Sequence, residues 1–546
     1  MCAEISLPNW LEKSYSLLWE SFKNKEFSRE DAVKVLKGKA DNRSVAVILS
    51  KLRKAGWLDM KLDPSDARRS LYILKSRDEI FKSTLKITSE KLTRSDIERI
   101  LKKAADLIRT RVDYKFILIL LFLKRISDKW ELEFEEAYKE ALNDGLSEEE
   151  ARKEAKSSTY HEFDLPEEFL WKNITKDVNS LPETLSQALK KIAELNPELK
   201  DVVDRADFIQ FTTSKENFEI LRQLVELFSE KRLHHVSPDV LGDAYEWVLR
   251  YFAPQKAKEG EVYTPREVIK LMVEMLDPKP GESVYDPACG SGGMLIAAYK
   301  HVEEENGREE ADKLFLYGQE ANSTTYALCK MNLYIHDIRN PYIAYGDTLL
   351  SPKFKEGVGP KKFDIVIANP PWNQDGYGED TLKKAEFWQK RFNYGFVTKQ
   401  SADWAWIQHM LASAKEDTGR VGIVIDNGCL FRGGKEKVIR SKVIEDDLLE
   451  CVILLPEKLF YNTGAPGAIL IFRKNKPEER KDKVLFINAS QEYEQHPEVR
   501  KLNRLGEKHI KKIVEAYKKF EDIKDFARVV SREEIQKNDY NLNVTL

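Results

Sequence analysis

The run Phe363-Asp364-Ile365-Val366-Ile367-Ala368 breaks off at Asn369-Pro370-Pro371-Trp372, and this stretch constrains the chain more tightly than any other. A β-branched apolar run of this length reads as a buried strand. Two consecutive prolines fix φ and remove two backbone donors, so the strand must stop in a rigid loop whose carbonyls face outward. An Asn amide, a neighbouring carbonyl and a flat indole can together hold a planar group that bears an amine. The same four residues would also make a proline-stopped strand with a core tryptophan, and the residues upstream decide between the two.

From about residue 260 onward, apolar runs alternate with helical stretches. The runs are Ser283–Tyr285, Leu314–Gln319, Asp364–Ala368, Arg420–Ile425, Leu449–Leu455 and Ala468–Phe472, with Pro341–Tyr345 as a shorter candidate. That alternation predicts an α/β fold with a doubly wound, mostly parallel sheet. The expected domain covers residues 251–475, with Gly464-Ala465-Pro466-Gly467 as the turn before its last strand. Residues 476–546 read as a tail with one strand (Val484–Ile487), a charged helix (Lys508–Phe520) and a polar end, Asp539–Asn543.

Residues 81–250 read as an all-helical domain. Ile97–Arg109 and Lys115–Leu132 carry apolar residues at helical spacing, and charge-rich Glu133–Lys156 reads as a long solvated helix or hairpin. Residues 1–80 read as a separate winged-helix-like module. It has three helices, around Trp10–Phe22, Arg29–Leu36 (N-cap Ser28) and Ser44–Ala55, then two short strands about a turn at Asp63–Asp66. Up to Ile80 there are 16 Lys/Arg and 12 Asp/Glu. Both DNA contact through Ser44–Ala55, Arg68 and Arg69, and docking against another protein, fit that module.

Over the whole chain 89 Lys+Arg face 92 Asp+Glu, so any nucleic acid must be met by a local basic surface or by a partner's. Five cysteines are scattered without a CxxC pair, which argues against a zinc knuckle or a disulfide framework and suits a reducing, cytoplasmic setting. No signal peptide opens the chain, and its longest apolar run, Phe116–Leu123, is too short to span a bilayer. A soluble protein with no membrane partner is expected. Adjacent His234 and His235 lack a carboxylate or a third ligand nearby and are given no metal role; no metal site is expected.

The chemistry gathers at the strand ends. The first core strand ends in Asp286-Pro287-Ala288-Cys289-Gly290-Ser291-Gly292-Gly293. An acid at a strand tip, followed by glycines that open a helix, is how doubly wound folds receive a nucleotide-like ligand. Neither a Gly-x-Gly-x-x-Gly spacing nor a Walker lysine is present here, which weakens the dinucleotide and triphosphate readings. The second strand ends at Glu320, suited to a ribose diol, and the next acidic tip is Asp347, suited to a purine's amino edge.

Three acidic tips followed by Asn-Pro-Pro-Trp resemble the S-adenosylmethionine-dependent amino-methyltransferases of DNA. More closely, the chain resembles the modification (M) subunit of type I restriction–modification systems. The resemblance runs from about Ile97 to the C-terminus through Ile126–Asp128, Leu241–Glu246, Gly260–Arg266, Gln319–Asn322, Asn427–Gly434, Leu455–Phe460 and Asp539–Asn543. It does not extend over the first 80 residues. It implies a class I methyltransferase (Rossmann-like) domain and an S-adenosyl-L-methionine site. That site would comprise Glu261, Val262, Tyr263, Thr264, Pro265, Arg266, Asp286, Gly290, Ser291, Gly292, Gly293, Glu320 and Asp347. Asn369 and the Pro370 carbonyl, on the Pro370-Pro371 corner, would accept from adenine's amine, and Trp372 would stack on the ring.

The implied substrate is double-stranded DNA with a flipped adenine. The implied partners are a specificity (S) subunit, with two M subunits to each S, and a restriction (R) subunit. The resemblance leaves sequence choice to S, and cleavage and translocation to R. The absence of a Pro-Cys dipeptide agrees with direct methyl transfer, without the covalent nucleophile of cytosine-ring methylation. Two other readings stand beside this one: a stand-alone methyltransferase of RNA or a protein amide, and a winged-helix DNA-binding regulator that only senses the cofactor.

Overall fold

The computed structural model describes residues 7–546 except 8, 38–44, 64–65, 77–78, 80–92, 109–111, 205, 230–232, 234–235, 237, 259–262, 462 and 498. His234, His235, Gly260, Glu261 and Val262 therefore lie outside the described residues, as does the centre of the expected 63–66 turn. The chain divides into two compact units, Met1–Thr93 with Lys231–Val236, and Arg94–Glu230 with Ser237–Leu546.

The first unit is winged-helix-like. Helices Asn9–Phe22, Arg29–Leu36 and Val45–Lys54 are followed by a hairpin of β2 (Leu58–Asp63) and β3 (Asp66–Leu74), and the short β1 (Phe27–Ser28) pairs with β3. Ser28 caps the second helix in a reciprocal box with Asp31. Leu18, Ala32, Ile48, Leu52 and Trp57 are buried in its own small core.

The second unit opens with helices. Helix Lys115–Asn143 buries every residue of the apolar run Phe116–Leu123, with Phe116 edge-on to Phe208 and Phe211 at 5.0 Å. The charged stretch after it folds back as a hairpin: helix Glu148–Ala155 starts at a capping box of Ser147 and Glu150. Among the described residues no helix is long and apolar enough to cross a membrane.

A nine-stranded sheet follows, built from β4 (Ser283–Asp286), β5 (Phe315–Glu320), β6 (Tyr342–Tyr345), β7 (Ile365–Ala368), β8 (Arg420–Asp426), β9 (Leu449–Leu454), β10 (Gly467–Arg473), β11 (Lys483–Asn488) and β12 (Ala527–Ser531). In space the order is β12-β11-β9-β10-β8-β7-β4-β5-β6. The stretch from β6 to β8 is parallel throughout, whereas β10 runs antiparallel between β8 and β9. Residues read from sequence as a tail supply β11 and the unforeseen β12, which extend the same sheet.

Side-chain alternation explains why both faces are covered. On β7, Ile365 and Ile367 join a core formed with helices Arg266–Leu276, Gly293–Asn306 and Glu507–Lys519. Val366 and Ala368 join the opposite core, with helices Asp403–Ala412 and Gly434–Glu445. Helix Pro238–Lys258 lies against helix Ser323–Ile335: Tyr245 donates to the Leu328 carbonyl at 3.0 Å, and a Cβ on Gly242 would fall 2.1 Å from the His336 ring. That close approach brings the helical region to the carboxyl ends of the central strands.

Candidate active site

A cavity of about 450 Å³ lies at those carboxyl ends, at the point where β4 and β7 run side by side and the chain departs in opposite directions. The loop after β4 forms its floor. Gly290 and Gly292 take φ of +53° and +86°, and a Cβ on Gly292 would press on Cys329 Sγ at 3.0 Å. Beyond Gly290 there is open space, so the backbone itself faces the cavity. The loop is tied down from two sides. Gly290 N–H donates to Glu320 Oε2 at 3.0 Å, and Asn332 Nδ2 donates both to the Ser291 carbonyl (2.9 Å) and to Glu246 Oε1 (2.7 Å).

The three acids differ in what they accept from. Asp286 is buried and accepts one bond, from Ala288 N–H at 3.0 Å. Burial, with Glu320 nearby, raises its pKa to about 8. Glu320 also accepts from Asn322 N–H at 2.7 Å. Asp347 accepts from the Tyr377 hydroxyl at 2.5 Å and from Leu350 N–H at 3.1 Å. A smaller chamber of about 60 Å³ adjoins the main one, lined by Asp286, Glu246, Thr264, Gly293 and Asn369 among others.

Asn369 is buried at the tip of β7, and its amide is held at both ends. Nδ2 donates to Thr264 Oγ1 at 2.8 Å, and Oδ1 accepts from the Trp372 indole N–H at 2.9 Å. Each end of an amide has room for two hydrogen bonds, so Oδ1 retains one acceptor position. The Trp372 ring does not line the cavity; it packs edge-on to Phe460 at 4.8 Å and against Gly467. Asn373, at φ +50°, turns the chain onward. It is locked by Asp403, which accepts from its N–H at 2.8 Å, and by Arg432, which donates to its Oδ1 at 2.7 Å. Arg432 also reaches Asp403, Asp426 and Glu436, which gives the Asn427–Gly434 stretch a structural role.

Of the residues singled out in sequence, Tyr263, Gly290, Ser291, Glu320, Asp347, Asn369 and Pro371 line the main cavity. Thr264, Asp286 and Gly293 line the small chamber, Pro265 and Arg266 line a neighbouring pocket, and Gly292 supports the loop. Sequence reasoning missed Gln374, Tyr377 and Trp406, and the helical-region wall of Tyr114, Leu249 and Ala253. Gln374 and Tyr377 lie just beyond Trp372, so they were within reach; the helical wall carried no local signal.

The donor set fits a nucleoside-type cofactor with a cationic centre. Backbone donors open a helix of fourteen residues, glycines admit close approach, carboxyls end three strands, and the volume suits a ligand of that size. The fold and this strand-tip arrangement define a class I methyltransferase. The N-6 DNA methylase family profile matches residues 236–546, and the HsdM N-terminal domain profile matches 97–228. The chain is 47% identical to the type I restriction enzyme MjaVII methylase subunit of Methanocaldococcus jannaschii, over 99% of this chain and 91% of that one. It is 46% identical to the MjaVIII methylase subunit of the same organism, over 98% and 90%. Among solved structures it resembles the type I restriction–modification system methyltransferase subunit from Streptococcus thermophilus, with TM-score 0.72 and 28% identity, covering 83% of this chain and 99% of that one. The chain belongs to the family of type I restriction enzyme methylase subunits.

Proposed function

We propose that this chain methylates the N6 amino group of adenine in DNA, using S-adenosyl-L-methionine, as the modification subunit of a type I restriction–modification complex. The observation that carries this reading is the Asn369 amide, pinned by Thr264 and Trp372 beside the glycine loop with one acceptor position left over. Asn369 Oδ1 and the Pro370 carbonyl accept the two N6 hydrogens, which draws the amine out of conjugation with the ring and aims its lone pair. Bound S-adenosyl-L-methionine supplies an electrophilic methyl group on a sulfonium. Asp286, Glu320 and Asp347, with the Gly290–Gly293 backbone, Tyr263 and Thr264, would hold the cofactor, while Pro265 and Arg266 of the same segment line the neighbouring pocket. Glu261 and Val262 belong to the same proposed segment. The protein's contribution is proximity and orientation.

An adenine inside a duplex is out of reach, so the base is flipped at a cost of roughly a few kcal/mol. Trp372 keeps the Asn369 amide in orientation through its N–H, with its ring held against Phe460 and Gly467 outside the cavity. The near-neutral charge of the chain fits a protein that meets DNA together with a partner, here a specificity subunit; two methylase subunits to each, and a restriction subunit, complete the proposed complex.

The test is transfer of labelled methyl from S-adenosyl-L-methionine to DNA, with and without the specificity subunit, followed by digestion to identify the base. N6-methyladenine formed only with the partner supports the whole reading. Activity without the partner would place sequence choice on this chain, and label entering only protein or RNA would overturn the reading.

A further inference from the structure

Sharing the Tyr263 ring with the catalytic cavity lies a second pocket, of about 150 Å³. Four segments distant in sequence converge on it. Helix Pro238–Lys258 brings Arg250, the first turn of helix Arg266–Leu276 brings Arg266, the segment after β9 brings Tyr461, and Arg504 comes from the C-terminal region. Three guanidiniums share the lining with a single carboxyl, Glu267, whose pKa is raised by burial.

Charge is not balanced within this group. Arg266 is drawn sideways to Asp243 (3.4 Å) and Glu246 (3.9 Å), and Arg504 bonds Glu494 at 2.7 Å. Arg250 makes no ion pair within 4 Å with a described carboxylate, and Glu267 is the acid that feels its charge. A guanidinium carries five N–H donors in a fixed fork, so all three retain donors for a ligand. The buried Tyr263 hydroxyl has no hydrogen-bond partner among the described residues.

We propose that this pocket binds a phosphodiester of the DNA backbone beside the flipped adenine, an inference that rests on the reading of the chain as a DNA adenine methyltransferase. Planar guanidiniums match the paired oxygens of a phosphate, and contacts of this kind set register without reading sequence. The position is apt because Tyr263 immediately precedes Thr264, which holds the Asn369 amide. Phosphate and base of one nucleotide are thereby referenced to two adjacent residues. In a chain of near-neutral net charge, a local cluster of this kind is also where backbone charge can be met.

The test measures binding of a fluorescent duplex to the full chain assembled with its specificity subunit, across a salt titration. Arg250→Gln and Arg504→Gln should each weaken binding roughly tenfold whatever the sequence, and lower the slope of log K against log salt by about one. The double Arg→Lys variant should restore most of the slope. Affinity for S-adenosyl-L-methionine, measured by calorimetry, should not change. In the unmodified complex, duplex DNA should shield Arg250 from phenylglyoxal, which covers the case of a variant that fails to fold. Unchanged DNA affinity and slope, absent protection, or a loss confined to S-adenosyl-L-methionine binding would each overturn the proposal. A complex that binds DNA with the expected slope yet never methylates it would overturn the proposed function instead.

Discussion

The indole N–H of Trp372 donates to Asn369 Oδ1 at 2.9 Å, so the aromatic residue that closes the Asn-Pro-Pro-Trp corner orients the amide that opens it. This contact separates two tasks of the tryptophan, its ring and its N–H. Trp372→Phe keeps a ring and deletes the donor; methyl transfer should fall roughly tenfold, the size of one modest hydrogen bond. Asn369→Ala removes the acceptor itself and should cost about 10²–10³ in kcat while cofactor affinity holds. Single-turnover transfer of labelled methyl, alongside calorimetric cofactor binding, checks both. Equal losses for the two variants would mean that the N–H carries nothing separate from the acceptor.

Thr264 accepts from Asn369 Nδ2 at 2.8 Å. Thr264→Val preserves shape but leaves a buried N–H without its acceptor, at a cost of about 1–3 kcal/mol. The expected result is a fall in kcat and in Tm together. Thr264→Ser, which keeps the hydroxyl, should recover most of both.

Asp286 has a pKa of about 8 in the folded chain against an ordinary 3.8. Its folded value lies above its unfolded one, so the native state binds the extra proton between those limits. The contribution to stability is therefore full below about pH 4 and is lost as pH rises to about 8. Asp286→Asn should raise the Tm of the ligand-free chain at pH 8 and leave it almost unchanged at pH 4. A cationic cofactor favours the ionised carboxyl, so binding at pH 7 should release close to one proton, and Asp286→Asn should abolish that release. Calorimetry in buffers of differing ionisation enthalpy reads it directly.

Arg432 bridges Asp403, Asp426 and Glu436 and reaches Asn373. The Asp403 side chain is fully buried, and burial already raises its pKa. Arg432→Met would leave that carboxyl without its cation, and destabilisation of about 3–5 kcal/mol is expected in chemical unfolding. Loss of activity without loss of stability would show that the arginine acts on substrate rather than on the loop.

Local chemistry made much of this site legible in advance. The apolar runs that became β4, β5, β7, β8, β9 and β10 were visible because a strand buried on both faces is continuously apolar. The glycines after Asp286 and the prolines after Asn369 could be read because each constrains its own backbone. β12 was not legible: Ala527–Ser531 is a short segment with exposed positions whose partner, β11, lies some forty residues earlier. The helical-region wall of Tyr114, Leu249 and Ala253 was hidden for the same reason, since apolar residues on a helix look alike whether they face a core or a cavity.

The sequence by itself determined the class of fold, the order of acidic strand tips and the Asn-Pro-Pro-Trp corner, because these depend on backbone limits and on spacing along one chain. Only the tertiary structure decided which groups complete the corner. Thr264 meets Asn369 across 105 residues, and Arg250, Arg266 and Arg504 gather around Tyr263 from separate elements. The Trp372 ring settles against Phe460 and Gly467. Burial sets the charge state of Asp286. Such relations depend on distance and solvent exclusion, which exist once the chain has packed.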